Sequence, residues 1–307
     1  MSNDLFKYRF SSGITIILIL MQEQEDSIIK KAIKSGTAGA SAMVIQVSSL
    51  MWMRTTMNYQ FKNGGSFIPT IKHLYAEGGI PRFYRGMLPA LIIGPISRFG
   101  DTAMNMFAKN LFKSDASFKD VPIFIQTSLG SFLAGMWRIS TLPIDAWKTS
   151  KQVYGADGLK MLFNKYHANG IKTFYQGGVA SASATMAGHY PWFLTNNYLD
   201  YYIPKYSFKD EKFKALVRSA VIGFCCTLVS DTISNSIRVM KTMKQTSETQ
   251  ITYQQAFNEV IAKDGYQGLF LRGLKTKLMT NGIQGVIFSI FWRYFEYRLS
   301  LKKDQKA

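Results

Sequence analysis

Charge is scarce in this chain. Asp, Glu, Lys and Arg make up 18% of its 307 residues, against roughly 25% in soluble domains, so long stretches must carry no ion at all. Acids are scarcer still: 19 Asp and Glu stand against 37 Lys and Arg, a formal +18. An excess of that size calls for an anionic partner, whether nucleic acid, membrane surface or solute. Only two cysteines occur, Cys225 and Cys226. They are adjacent, do not face each other on a helix, and form no disulfide framework. With three histidines beside them there is no Cys/His cluster for a metal. A Gly-x-x-x-x-Gly-Lys-Ser/Thr phosphate loop and a Gly-x-Ser-x-Gly nucleophile turn are also missing. No enzymatic activity, metal or cofactor is therefore expected.

What is present are windows free of charge. Ser35–Met53 runs 19 residues without an ion, Val121–Trp137 runs 17, and Thr173–Leu199 runs 27 with His189 counted as neutral. Shorter windows cover Gly86–Ser97, Ser219–Ser230 and Leu278–Trp292. A helix needs about 20 apolar residues to span a bilayer, and only the longer windows approach that. The mean hydropathy is only −0.02. Six spans, each with one polar face towards an aqueous cavity, account for both facts; a soluble protein with buried helices is the competing reading. The excess Lys and Arg lie beside the windows, in Lys30–Lys34, Lys205–Lys214 and Lys302–Lys306. That distribution suits anionic headgroups, and no nucleic-acid partner is expected. The apolar stretch Ile14–Met21 is too short to span and lacks a small-residue cleavage site. Residues 1–28 read as an appended segment.

A pattern recurs three times along the remainder: Glu77-Gly78-Gly79 before Phe83-Tyr84-Arg85-Gly86, Asn169-Gly170 before Phe174-Tyr175-Gln176-Gly177, and Asp264-Gly265 before Phe270-Leu271-Arg272-Gly273. The terminal glycines are 91 and 96 residues apart. Upstream of each lies an amphipathic stretch, Phe67–Ala76, Leu159–Ala168 or Tyr253–Lys263, which predicts a short surface helix closed by a left-handed glycine. Each unit reads as long helix, short surface helix, long helix, with boundaries at 29–114, 115–208 and 209–307. In the middle unit, Pro143 kinks the first long helix. Asp145 and Lys148 follow on one face.

Pro-x-Asp-x-x-Lys closing an apolar helix, followed by aromatic-Gln-Gly inside a threefold repeat, resembles the mitochondrial carrier family over residues 29–300. The resemblance implies an all-α membrane protein: six transmembrane helices in three pseudo-threefold repeats, each with a short matrix-side helix, in the mitochondrial inner membrane. It also implies exchange of a small anionic or zwitterionic solute by alternating access. Cardiolipin is expected near Gly86, Gly177 and Gly273, where helix N-termini favour phosphate.

The chain departs from that pattern at its gates. Aligned on the base, the three units carry Arg54, Lys148 and Arg238, but Asp145 is the sole acid. The matrix gate is therefore expected to rest on Asp145 paired with Arg238, with Gln152 assisting. Near the far end of the second long helix of each unit, Met104-Asn105, Thr195-Asn196 and Phe291-Trp292 supply no acid. Candidates for solute contact are Arg98, Asp101, Ala184, Thr185, His189, Thr280 and Asn281, an ion or polar group inside a span defaulting to a functional hypothesis. Bland alternatives stand beside them: Arg98 and Asp101 paired with each other, His189 as a packing residue, and the small residues at Ala180–Ala184 serving close helix approach. Lys275 and Lys277 lie near the matrix end, where contact with headgroups is the alternative. Two functions follow. One is a carrier exchanging a small anionic metabolite. The other is a carrier-shaped subunit of a respiratory-chain complex with little or no transport.

Overall fold

The computed structural model describes residues 43–113, 121, 123–203, 211–287 and 291. The chain divides into two units, Gln46–Val286 and a second made of Met1–Ile45 with Ile287–Ala307. The expectations for residues 1–28, Lys30–Lys34, Lys302–Lys306 and Trp292 lie outside the described residues, as does the side chain of Arg98.

Every described element is helical. A helix over residues 43–63 (α1) leads through a short turn to α2, Phe67–Phe83, and then to α3, Met87–Lys113. α4 (Ile123–Ser140), α5 (Leu142–Tyr154), α6 (Gly158–Asn169) and α7 (Gly178–Tyr202) follow, with a single 3-10 stretch, Gly170–Tyr175, between the last two. α8 (Glu211–Thr246) and α9 (Tyr253–Leu271) precede the last described helix, α10, over residues 274–287. Along the chain the elements follow one another as α1–α2–α3, α4/α5–α6–α7 and α8–α9–α10.

Local chemistry explains the differences between these stretches. Pro143 lacks an amide hydrogen and cannot continue the helical ladder, so the helix breaks at Thr141 and restarts with Pro143 in its first turn. α8 has no proline and runs unbroken for 36 residues. Its segment Val217–Thr246 is, by length and composition, the one described helix apolar enough to cross a membrane. α9 opens on a capping box in which Thr252 and Gln255 satisfy each other's backbone amides. Its face, Ala256 and Val260, joins Phe61 of α1 with Val239 and Met243 of α8 in one buried cluster.

Neighbouring helices lock by close approach. Gly86, Gly177 and Gly273 each sit at positive φ just before α3, α7 and α10, respectively. A methyl carbon on them would lie 3.0 Å from the carbonyl of Lys148, 3.0 Å from that of Lys241 and 3.2 Å from that of Met57, respectively. The same contact is thus made three times, with α3 on α5, α7 on α8 and α10 on α1. Cations complete it. Arg82 donates to the carbonyls of Gln152 (3.0 Å) and Val153 (2.8 Å) at the end of α5. Arg272 donates to the carbonyl of Lys62 (3.3 Å) at the end of α1, and Lys165 to that of Gln245 (3.4 Å) at the end of α8. Each satisfies terminal carbonyls and complements the negative end of the helix dipole.

α3 and α4 meet differently. Trp137 donates its indole N–H to the carbonyl of Ile96 (3.2 Å), and a methyl on Gly100 would fall 1.7 Å from that nitrogen. Gly100→Ala is expected to expel the indole and destabilise the protein by about 1–3 kcal/mol, the usual cost of overpacking. The check is apparent Tm in detergent, where Gly100→Ala and Trp137→Leu combined should cost less than the two separate losses added together.

Candidate functional site

Asp145 is the centre of the charged cluster. It lies in the first turn of α5, where an acid is favoured, and is 9% exposed. One carboxylate oxygen accepts from Lys148 on the same helix, three residues on. The other accepts from Lys241 of α8. The expected partner, Arg238, is not the one bonded. The correction follows from register: Lys241, not Arg238, occupies in α8 the place that Lys148 holds in α5, as the carbonyl contacts to Gly177 and Gly86 show. Arg238 stands three residues before Lys241, where Asp145 stands before Lys148. Arg54 likewise stands three before Met57, the α1 residue whose carbonyl faces Gly273. Arginine therefore occupies two positions equivalent in register to the acid.

Both arginines make other contacts. Arg54 donates to the side-chain oxygen of Gln284 on α10 (2.7 Å). Arg238 donates its Nε to Ser234, one turn back (3.3 Å). Gln152 does not touch the Asp145 cluster through its side chain. Its oxygen accepts from Asn58 (2.5 Å) and its amide approaches the sulfur of Met51, so it ties α5 to α1. A sequence signal for Lys241 existed: Lys241-x-x-x-Gln245 repeats Lys148-x-x-x-Gln152.

A polar cavity of about 140 Å³ adjoins the cluster. Arg138, Asp145, Arg238 and Lys241 line it, together with hydroxyls including Ser97 and Thr185. Three cations against one carboxylate make it a place for negative charge. Of the residues singled out for solute contact, Ala184, Thr185 and His189 line this space. Asp101 accepts from Arg138 Nη2 at 2.5 Å. Among the small residues of α7, the Ala182 carbonyl would lie 3.2 Å from a methyl on Gly135 of α4, while Ser181 and Ala184 line the cavity.

Thr280 and Asn281 are placed elsewhere. Thr280 bonds to the carbonyl of Thr276 in its own helix (2.6 Å). Asn281 donates to Asp231 of α8. The other oxygen of Asp231 lies 2.8 Å from Lys277 Nζ, and both side chains are 8% exposed. Lys277 is therefore spent on a buried ion pair within the protein rather than on a headgroup. Sequence reasoning passed over Arg138, Asp231 and Lys241 because each sits at or beyond the edge of a charge-free window. Among the described residues, no cluster of His, Cys, Asp or Glu is arranged to hold a metal ion.

Lys165 is the titratable group with the clearest consequence outside the long helices. It is 4% exposed and donates to Gln176 Oε1 at 3.0 Å. Burial, reinforced by the charges of Lys62 and Lys244, lowers its pKa to about 8. A lysine depressed in the folded state holds fewer protons there than in the unfolded chain between about pH 8 and 10.5. Its contribution to stability is therefore complete above 10.5 and lost as pH falls through 8. Lys165→Met should remove that dependence. Relative to the variant, the unmodified protein should gain up to roughly 3 kcal/mol between pH 7 and 10.5, read as the difference of two Tm-against-pH curves.

The sequence model of the family described as "Mitochondrial carrier protein" matches residues 24–116, a segment that includes α1, α2 and the described α3. This match supports membership of the mitochondrial carrier family, whose members are transporters rather than enzymes. No curated protein matches the chain.

Proposed function

We propose that this protein is an inner-membrane solute carrier that exchanges a small anionic metabolite by alternating access. The six long stretches α1, α3, α4/α5, α7, α8 and α10 would be its spans, in three related units, with α2, α6 and α9 on the matrix side. The single observation that supports this best is the polar cavity carrying Arg138, Arg238 and Lys241 against Asp145. Cations in a membrane interior are costly and are retained where they act on an ion's path. The threefold glycine contact supports the repeat, and the match over residues 24–116 supports the family.

In this reading Asp145, Lys148 and Lys241 close the matrix side. Arg238, standing where an acid would complete the ring and lining the cavity, supplies positive charge that a bound anion neutralises. The solute then supplies part of the closing energy, as a ligand that binds the closed state better shifts the population towards it. Cardiolipin would dock beside the starts of α3, α7 and α10. Gly86, Gly177 and Gly273 are themselves buried against the neighbouring helix, so phosphate would meet the amides that follow them.

Reconstitution tests the proposal. Liposomes preloaded with carboxylates, nucleotides, phosphate or amino acids should show exchange of one class of solute. Arg238→Ala should reduce that exchange at least 100-fold, and Arg54→Ala should reduce it as well. Absence of exchange for the whole panel, with co-purification in fixed stoichiometry with a respiratory complex, would make the subunit reading the better one.

A further inference from the structure

Of the ionisable groups that line the cavity, one belongs to a type that changes charge near neutral pH. Arginine, lysine and aspartate have ordinary pKa values far from 7, whereas an imidazole titrates close to it. His189 lines the same space as Arg138, Asp145, Arg238 and Lys241. Its place is set by the approach of α7 to α8. The Ser230 hydroxyl donates to the carbonyl of Gly188 at 2.7 Å, and a methyl on Gly188 would lie 3.1 Å from that hydroxyl and 3.6 Å from the hydroxyl of Ser234. Ser234 in turn accepts from Arg238 Nε at 3.3 Å. The backbone just before His189 is therefore held against the turn of α8 that leads to Arg238. Within α7 the ring meets Phe193 edge to face, with centroids 6.4 Å apart.

The charges that act on the ring come from three other helices: Asp101 of α3, Arg138 of α4 and Arg238 of α8. Asp145 and Lys241 stand further along the same cavity. Both acids are already engaged, Asp101 by Arg138 and Asp145 by Lys148 and Lys241. An anion in the cavity is a different counterion, free to enter and leave. The space is about 140 Å³, so any occupant lies within the ~4–6 Å over which an opposite charge favours the protonated form of a ring on its wall. Coupling of this kind is reciprocal. An anion that favours the imidazolium is itself bound more tightly by the imidazolium, and by the same factor.

We infer that His189 is a proton site coupled to the anion site: the loaded cavity holds one proton more than the empty one, and the solute is carried together with H+. The proton binds an imidazole nitrogen from the side to which the cavity is open and leaves with the anion on the other side. The titrating group belongs to the protein, so the solute is an anion whose own charge is fixed near neutral pH, such as a carboxylate or sulfate. This inference rests on the carrier reading above and adds proton coupling to the same cavity.

The test uses the purified full-length protein with sulfate, malate, 2-oxoglutarate and L-glutamate, whose charges stay nearly fixed between about pH 6 and 8. Binding of at least one of them should take up as much as one proton per protein, read with a pH indicator in weak buffer. Its KM for exchange across liposomes, at equal pH on both sides, should rise with pH by up to about tenfold per unit. His189→Gln cannot titrate and should abolish both the proton uptake and the slope, whatever rate of exchange remains. His189→Lys carries a fixed charge and should flatten the slope at the low-KM end. Apparent Tm without solute shows whether each variant is folded. Solute binding without proton uptake in the unmodified protein, or a slope that survives in both variants, would overturn the inference and leave the carrier standing. Exchange confined to phosphate or nucleotides would do the same, whereas no exchange of any solute would remove both.

Discussion

Lys277→Met should lower the apparent Tm by on the order of 10 °C. The ammonium of Lys277 lies 2.8 Å from Asp231, and each side chain is 8% exposed. Removing one partner of a buried pair strands the other charge, which costs about 3–5 kcal/mol; in a protein of this size each kcal/mol moves Tm by roughly 2–4 °C. Asn281 still donates to Asp231, but one amide does not neutralise a carboxylate. The double change Asp231→Asn with Lys277→Met removes both charges and should recover most of the loss, since buried ion pairs are often nearly neutral against an uncharged replacement. A Tm drop of only a degree or two for Lys277→Met would mean that water reaches Asp231.

Asp145→Asn should be of comparable size and should differ in its response to salt. Two lysines share this carboxylate, Lys148 within α5 and Lys241 from α8, and Arg238 lines the same cavity. Without the acid, three cations face one another and the link from α5 to α8 becomes repulsive. The expected loss is about 3–5 kcal/mol, partly recovered by added anions that enter the cavity. Lys241→Met is the informative contrast: Asp145 keeps Lys148 as a counterion, so the loss should be about half as large and independent of anions. Thermal unfolding of the three proteins in chloride and in phosphate distinguishes these outcomes. Equal sensitivity of Asp145→Asn and Lys241→Met would show that the interhelical contact, rather than charge balance, is what matters.

The sequence by itself determined the helical class and the order of elements. Charge-free windows and amphipathic stretches are periodic in the chain, and periodicity is a local property. Pro143 foretold the break between α4 and α5 because a missing amide hydrogen acts where it stands. Gly170 foretold the end of α6 and Gly265 the kink inside α9 for a similar reason, both lying at positive φ. Asp145 was identifiable as the sole acid of its motif, and its intrahelical contact with Lys148 follows from a spacing of three.

Tertiary structure alone decided who partners whom across helices. Lys241 rather than Arg238 reaches Asp145 because the approach of Gly177 to the Lys241 carbonyl sets the register of α8. A helix turns by about 100° per residue, so a three-residue difference in alignment moves the chosen base by most of a turn along α8. Sequence alignment on a base without that register selects the wrong cation. The Asp231–Lys277 pair joins residues 46 positions apart, and the Asp101–Arg138 pair joins residues 37 apart on α3 and α4. Nothing local to either segment announces such contacts. They exist because burying an ion among apolar helices is tolerable only where folding brings its opposite within reach.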